Sequence, residues 1–163
     1  MRRYAAVFLL CIVAACGGST AQPSVGPHSS PVAGYLGSLG NASCSPSANF
    51  HGWHAADGFP ETGLDAKGGS VWALFFAPVP PTAGKEIKVV WRMTGTGAFV
   101  FRASDADRRV VPLAWGPQGH LSSDWTHPGD EVGTGFNFPH AGCWNIHVAR
   151  SDVSADLWLK VVA

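Results

Sequence analysis

From residue 70 onward, several stretches carry apolar residues at every second position. Trp144, Ile146 and Val148 alternate with Asn145 and His147, the period of a half-buried strand. Ile87, Val89, Trp91 and Met93 share one face of a second stretch, with Lys88 and Arg92 on the other. Leu157, Leu159 and Val161 repeat the pattern near the end. Seven strands are expected in all: 70–77, 86–93, 98–103, 109–114, 133–138, 143–149 and 154–162. The breaks carry Pro78-Val79-Pro80-Pro81, Gly95-Thr96-Gly97, Asp105-Ala106-Asp107 and Pro128-Gly129-Asp130, residues that form turns by fixing φ, permitting positive φ or bonding their own backbone. No stretch sustains a capped helical period. About seven short strands joined by turns predict an all-β, immunoglobulin-like β-sandwich, with a small barrel as the competing architecture. Residues 45–69, with Phe50, Trp53 and Phe59 among Gly, Pro and Asp, read as an irregular segment draped over the core.

The first residues follow another pattern. Arg2 and Arg3 precede an apolar run over 4–12, too short to span a bilayer and laid out like a signal peptide. Val13-Ala14-Ala15-Cys16 then resembles a bacterial lipobox, in which small residues precede an obligatory cysteine. That resemblance implies cleavage of 1–15 and lipidation of Cys16 by diacylglycerol and palmitate-type chains. It places the protein on the exported face of a bacterial cell membrane, since two acyl chains anchor durably. Ordinary secretion after cleavage at Ala15 is the alternative. Residues 16–43, rich in Gly, Ser, Pro and Ala and almost free of charge, read as a flexible tether. The folded domain is expected over 44–163.

Composition agrees with an exported globular domain. Apolar residues make up 46% and charged residues 13% of the 163, too apolar for a disordered chain. Eleven basic and eleven acidic residues balance, so no basic excess points to nucleic acid. Seven tryptophans and nine phenylalanines supply a compact core. With Cys11 inside the signal and Cys16 assigned to lipid, Cys44 and Cys143 remain, and an even remainder in an exported domain predicts a disulfide; two unpaired thiols are the alternative.

Gly68-Gly69-Ser70-Val71-Trp72-Ala73-Leu74, Trp91-Arg92 and Phe138-Pro139-His140-Ala141-Gly142-Cys143-Trp144-Asn145-Ile146 occur in that order. The last resembles the pattern F-P-x-x-G-C-W-x-[V/I]. Together they are similar to a group of uncharacterised bacterial lipoproteins and secreted proteins with a β-sandwich domain. The likeness covers about 44–162 and implies fold, disulfide and location, with no activity, cofactor or catalytic residue to carry over. His140 and Asn145 depart from the group's pattern.

Candidate chemistry is sparse. His51-Gly52-Trp53-His54 has a chelating spacing, so His51 and His54, with Asp57 near, are candidate copper or zinc ligands, against a reading as scattered surface histidines. No His-Glu-x-x-His, Gly-x-Ser-x-Gly or phosphate-cradling loop is present. Asp105, Asp107, Asp130 and Glu131 are possible acid–base carboxylates, but their turn positions favour local backbone bonding. Trp53, Trp115 and Trp125 lie in loop-like stretches and either meet a glycan or protein partner or cap the open ends of the core. The expected function is a non-catalytic binding or structural domain at the cell envelope, needing no cofactor, with a small His-based metal-binding protein as the alternative.

Overall fold

The computed structural model describes residues 44, 54–56, 58–119 and 123–163. The expected signal, Cys16, the tether, His51, Trp53 and Asp57 lie outside the described residues. Among those described there are ten strands and no helix: β1 His54–Ala56, β2 Phe59–Leu64, β3 Val71–Phe75, β4 Glu86–Met93, β5 Val100–Asp105, β6 Val110–Val111, β7 Trp115–Gly119, β8 Asp130–Asn137, β9 Gly142–Arg150 and β10 Val153–Val161. They form two antiparallel sheets, β1-β2-β3-β4-β8-β7 and β10-β9-β5-β6. The order β3-β4-β8-β7 against β10-β9-β5-β6 is the ABED and GFCC′ arrangement of the immunoglobulin sandwich, with β1 and β2 added outside the first strand.

Alternation decides which residues meet between the sheets. β9 turns Trp144, Ile146 and Val148 inward and leaves Asn145 and His147 half-exposed. From β4 come Ile87, Val89, Trp91 and Met93, and from β10 come Leu157, Leu159 and Val161. The two inward tryptophans are fully buried, and each indole N–H is answered. Trp91 Nε1 donates to Thr134 Oγ1 at 2.8 Å, and that hydroxyl donates to the Val89 carbonyl at 3.2 Å. Trp144 Nε1 donates to the His140 carbonyl at 3.1 Å. Phe138 packs beside Phe136 at 5.9 Å and Trp144 at 5.2 Å between ring centroids. A buried tryptophan fills the core well only when its polar end finds such a partner.

One end of the sandwich is closed by a buried cation. Arg150 donates from Nε to the Gly97 carbonyl at 3.0 Å and from Nη1 to the Met93 carbonyl at 3.3 Å. Its Nη2 meets Asp130 Oδ2 at 2.6 Å, and its guanidinium lies 4.4 Å from the Phe99 ring centroid. One side chain thereby ties β9, the β4–β5 turn and the start of β8.

The structure corrects the sequence reading at two places. Residues 45–69 are not irregular throughout, because β1 and β2 form there and extend the larger sheet. Pro60 and Gly63 disguise β2. Gly63 pairs with Trp72, whose indole lies so close that an added Cβ would stand 3.2 Å from it, so the glycine makes room for the ring. β7 was also unexpected. It carries Gly116, Pro117 and Gly119 and a register shift between Trp115 and Gln118, features of an edge strand that resists further pairing. The seven expected strands are all present, although 109–114 shrinks to the two residues of β6.

Cys44 and Cys143 are joined by a disulfide, with their Cα atoms 5.4 Å apart and a sequence separation of 99. Because Trp144 points inward, Cys143 stands on the outer face of the smaller sheet, beside Lys160 of β10. Further along that edge, Lys67 exchanges two backbone bonds with Ser154, and Val162 bonds the Pro81 and Ala83 backbone.

Two outcomes are expected. Reduction of the bridge should lower the melting temperature by several degrees, since a loop this long is worth up to about 4.7 kcal/mol in the chain-entropy treatment. An unchanged melt with both thiols confirmed free by mass spectrometry would show that it restrains nothing. Thr134→Val should cost about 1–3 kcal/mol by leaving the Trp91 indole N–H unanswered, whereas Thr134→Ser keeps the acceptor. Equal denaturant midpoints for the two variants would refute this account of the core.

Candidate functional site

Each sheet has an outer face, and the two differ. On the larger sheet, register aligns Gly63, Trp72, Arg92 and Glu131 in one row and Glu61, Leu74, Val90 and Gly133 in the next. The segment before β8 folds over these rows. Trp125 is buried against Leu74 and Val90, and its Nε1 donates to Glu61 Oε2 at 2.6 Å. The same carboxylate oxygen meets His127 Nε2 at 3.2 Å. The His127 ring stacks on Trp72 at 3.7 Å, and its carbonyl accepts from Arg92 Nη1 at 3.0 Å. Arg92 Nε in turn donates to Glu131 Oε2 at 3.0 Å. Trp115 lies over Gly135 and donates from Nε1 to Glu86 Oε1 at 2.9 Å. Trp115 and Trp125 therefore cover a sheet face, whereas the sequence placed them at the open ends of the core or at a partner. Their polar atoms are already engaged.

The other carboxylates singled out in the sequence are likewise engaged by arginines. Arg109 donates from Nε to Asp105 Oδ2 at 2.8 Å and from Nη2 to Asp107 Oδ2 at 2.7 Å, its amide donates to Asp105 Oδ1 at 2.8 Å, and Arg150 holds Asp130. Burial alone would raise the Asp105 pKa, but the bonds and charge from Arg109 outweigh it and hold the carboxyl below its ordinary value. These groups fasten turns and strand ends.

The smaller sheet presents a different face. Its outward rows are Asp156–His147–Arg102 and Trp158–Asn145–Ser104, across β10, β9 and β5. The turn from β5 to β6 adds Arg108, held at φ 65°, with its amide donating to the Asp105 carbonyl at 3.0 Å. Arg102, Ser104, Arg108, Asn145, His147 and Asp156 line an open depression of about 290 Å³. Every lining side chain is polar. His147 Nδ1 lies 3.0 Å from Asp156 Oδ1, which orients the imidazole and leaves its Nε2 toward other partners. Of the five described arginines, Arg92, Arg109 and Arg150 are ion-paired. Arg102 and Arg108 have no carboxylate within pairing distance among the described residues, and both line this depression.

Serine, histidine and aspartate occur together here, but Ser104 is paired with Asn145, one row away from His147, and no hydrogen bond joins its hydroxyl to the imidazole. The arrangement offers several donors and acceptors at a solvent-facing surface. It suits recognition of a charged, hydrogen-bonding ligand.

For the proposed metal ligands, His54 is the first residue of β1 and His51 lies outside the described residues. Among the described residues no group of three or more His, Cys, Asp or Glu is placed to hold a metal ion. Sequence reasoning missed Arg102, Ser104, Arg108, Asn145 and Asp156 as a set. Their signal is the outward half of the period-two pattern on three strands, which becomes a cluster only once register is known.

Removal of the Glu61 carboxylate tests the cover on the larger sheet. Glu61→Ala should destabilise by about 1–3 kcal/mol, because the buried Trp125 N–H loses its acceptor. Near-UV circular dichroism should weaken as the indole loosens; an unaltered spectrum and melt would show the cover is held by apolar contact alone.

No protein-family profile, curated protein or solved structure shows significant similarity to this chain.

Proposed function

We propose that this is an exported bacterial lipoprotein, anchored through a lipid on Cys16, whose β-sandwich is a non-catalytic binding module at the cell envelope. The smaller sheet's outer face is its binding surface. The observation that carries the binding reading is the convergence of Arg102 and Arg108, the two described arginines without a carboxylate partner, on one open polar depression. A guanidinium at a surface ordinarily gains from a carboxylate or phosphate, and two left open together favour an incoming anion over internal structure. Anchoring is supported by the order of Arg2-Arg3, the apolar run and Val13-Ala14-Ala15-Cys16. The likeness of Phe138-Pro139-His140-Ala141-Gly142-Cys143-Trp144 to the bacterial lipoprotein group points the same way.

The two halves of this reading are tested on one protein. Cys16→Ser should release the chain from membranes or leave it unprocessed; a mutant that still fractionates with membranes at mature size would exclude lipid on Cys16. The released protein, added back to isolated envelopes, should bind in a salt-sensitive way. Adding Arg102→Ala and Arg108→Ala should reduce that binding at least tenfold. Envelope binding indifferent to both arginines would remove the smaller sheet as the binding face.

A further inference from the structure

The depression on the smaller sheet says more about its ligand than its charge does. Resting on the reading of this face as the binding surface, we infer that it takes an acidic sugar, a pyranose ring carrying a carboxylate, presented as part of a polymer.

Four observations lead there. The site is open and shallow, with about 290 Å³ shared among three strands and one turn, so it fits one face of an extended chain better than an enclosed metabolite. Its charge is lopsided. Among the groups lining it, Arg102 and Arg108 are unanswered cations, whereas the single carboxylate, Asp156, already has His147 as a partner. That balance selects an anion.

Acceptors stand among the donors. Asp156 has a second carboxylate oxygen, and Asn145 and Ser104 each offer an oxygen beside the arginines. A small oxyanion offers few or no donors for these groups. A ligand bearing both a carboxylate and several hydroxyls satisfies the whole set. Planar amide, carboxylate and guanidinium groups also match the spacing of neighbouring ring hydroxyls, since each can make two parallel bonds.

The fourth observation is Trp158. It pairs with Asn145 across β10 and β9, points outward with the lining residues and is half-buried. An indole beside a polar cleft gives the C–H face of a pyranose an apolar surface to lie on while its hydroxyls face the polar row. In this arrangement Arg102 and Arg108 hold the carboxylate, and Asp156, Asn145 and Ser104 receive hydroxyls. His147 is fixed by Asp156 as a positioning residue. The Arg108 backbone, at positive φ, is fixed in the tight β5–β6 connection by its amide bond to the Asp105 carbonyl.

The test is calorimetric titration of the full chain carrying Cys16→Ser with oligogalacturonate, oligoglucuronate, neutral oligogalactose of equal length, and inorganic phosphate. At least one of the two uronates should bind, with neutral oligosaccharide and phosphate at least tenfold weaker. Arg102→Ala and Arg108→Ala should each weaken uronate binding about tenfold, the loss of a charge-assisted pair. Trp158→Ala should weaken it to a similar degree, and Lys85→Ala, an exposed residue outside the depression, should leave it unchanged. Melting curves confirm that each variant is folded; where Trp158→Ala is not, Trp158→Phe takes its place and should retain partial binding.

Phosphate binding as tight as uronate, with the same dependence on the arginines, would make this a simple oxyanion site and overturn the sugar assignment. Neutral sugar binding equally well, or no uronate binding at all, would also overturn it. If uronates fail while envelope binding still depends on Arg102 and Arg108, the face is a binding surface for another anion; if envelope binding ignores the arginines, the face itself is wrong.

Discussion

The register of β9 between β5 and β10 is the constraint on which the rest depends. Its even-numbered residues fill the core with Trp144, Ile146 and Val148, and its odd-numbered residues stand outside as Cys143, Asn145 and His147. Core, disulfide and depression are therefore three readings of one alternation. A one-residue slip would turn the tryptophan to solvent and bury the histidine, a loss of several kcal/mol that closes off the alternative pairing. The bond of the Trp144 indole to the His140 carbonyl fixes the turn from which the strand begins.

The two outer faces show how one sheet architecture supports different outcomes. On the larger sheet, glycines at 63, 133 and 135 lower the surface, and aromatic rings from Trp72, Trp115 and Trp125 fill the space. Glu61 and Arg92 then saturate the polar atoms above them. That face is a second, smaller core under a polypeptide cover. The smaller sheet has no covering segment over Asn145 and His147 among the described residues, and its side chains are those that remain stable in water. One face is finished by the chain itself, while the other leaves hydrogen-bonding capacity open.

Much of the fold could be read from sequence because most strands carry regular alternation. Glu86–Met93 was legible to the residue, since Ile87, Val89, Trp91 and Met93 leave no ambiguity of phase. β2 and β7 were not, because their glycines and prolines answer to tertiary contacts: Gly63 accommodates the Trp72 ring, and β7 is a broken edge. The disulfide followed from counting cysteines, and it is formed. The depression was hidden for a different reason. Arg102 and Ser104 lie far along the chain from Asn145, His147 and Asp156, and each alone is an ordinary surface residue. Only pairing across three strands brings them together. The histidine spacing at 51 and 54 drew attention because it is local, whereas the cluster that formed is not.

β10 ends the smaller sheet with nine residues, long enough to template pairing by a foreign strand. Its two ends are already occupied, by Lys67 at Ser154 and by the backbone of Pro81 and Ala83 at Val162. An intruding strand would have to begin in the middle, against the exposed Lys160 and the outward Asp156, with no free end from which to zip. The clips that fasten the sandwich's margin thus also work against edge-to-edge pairing along β10.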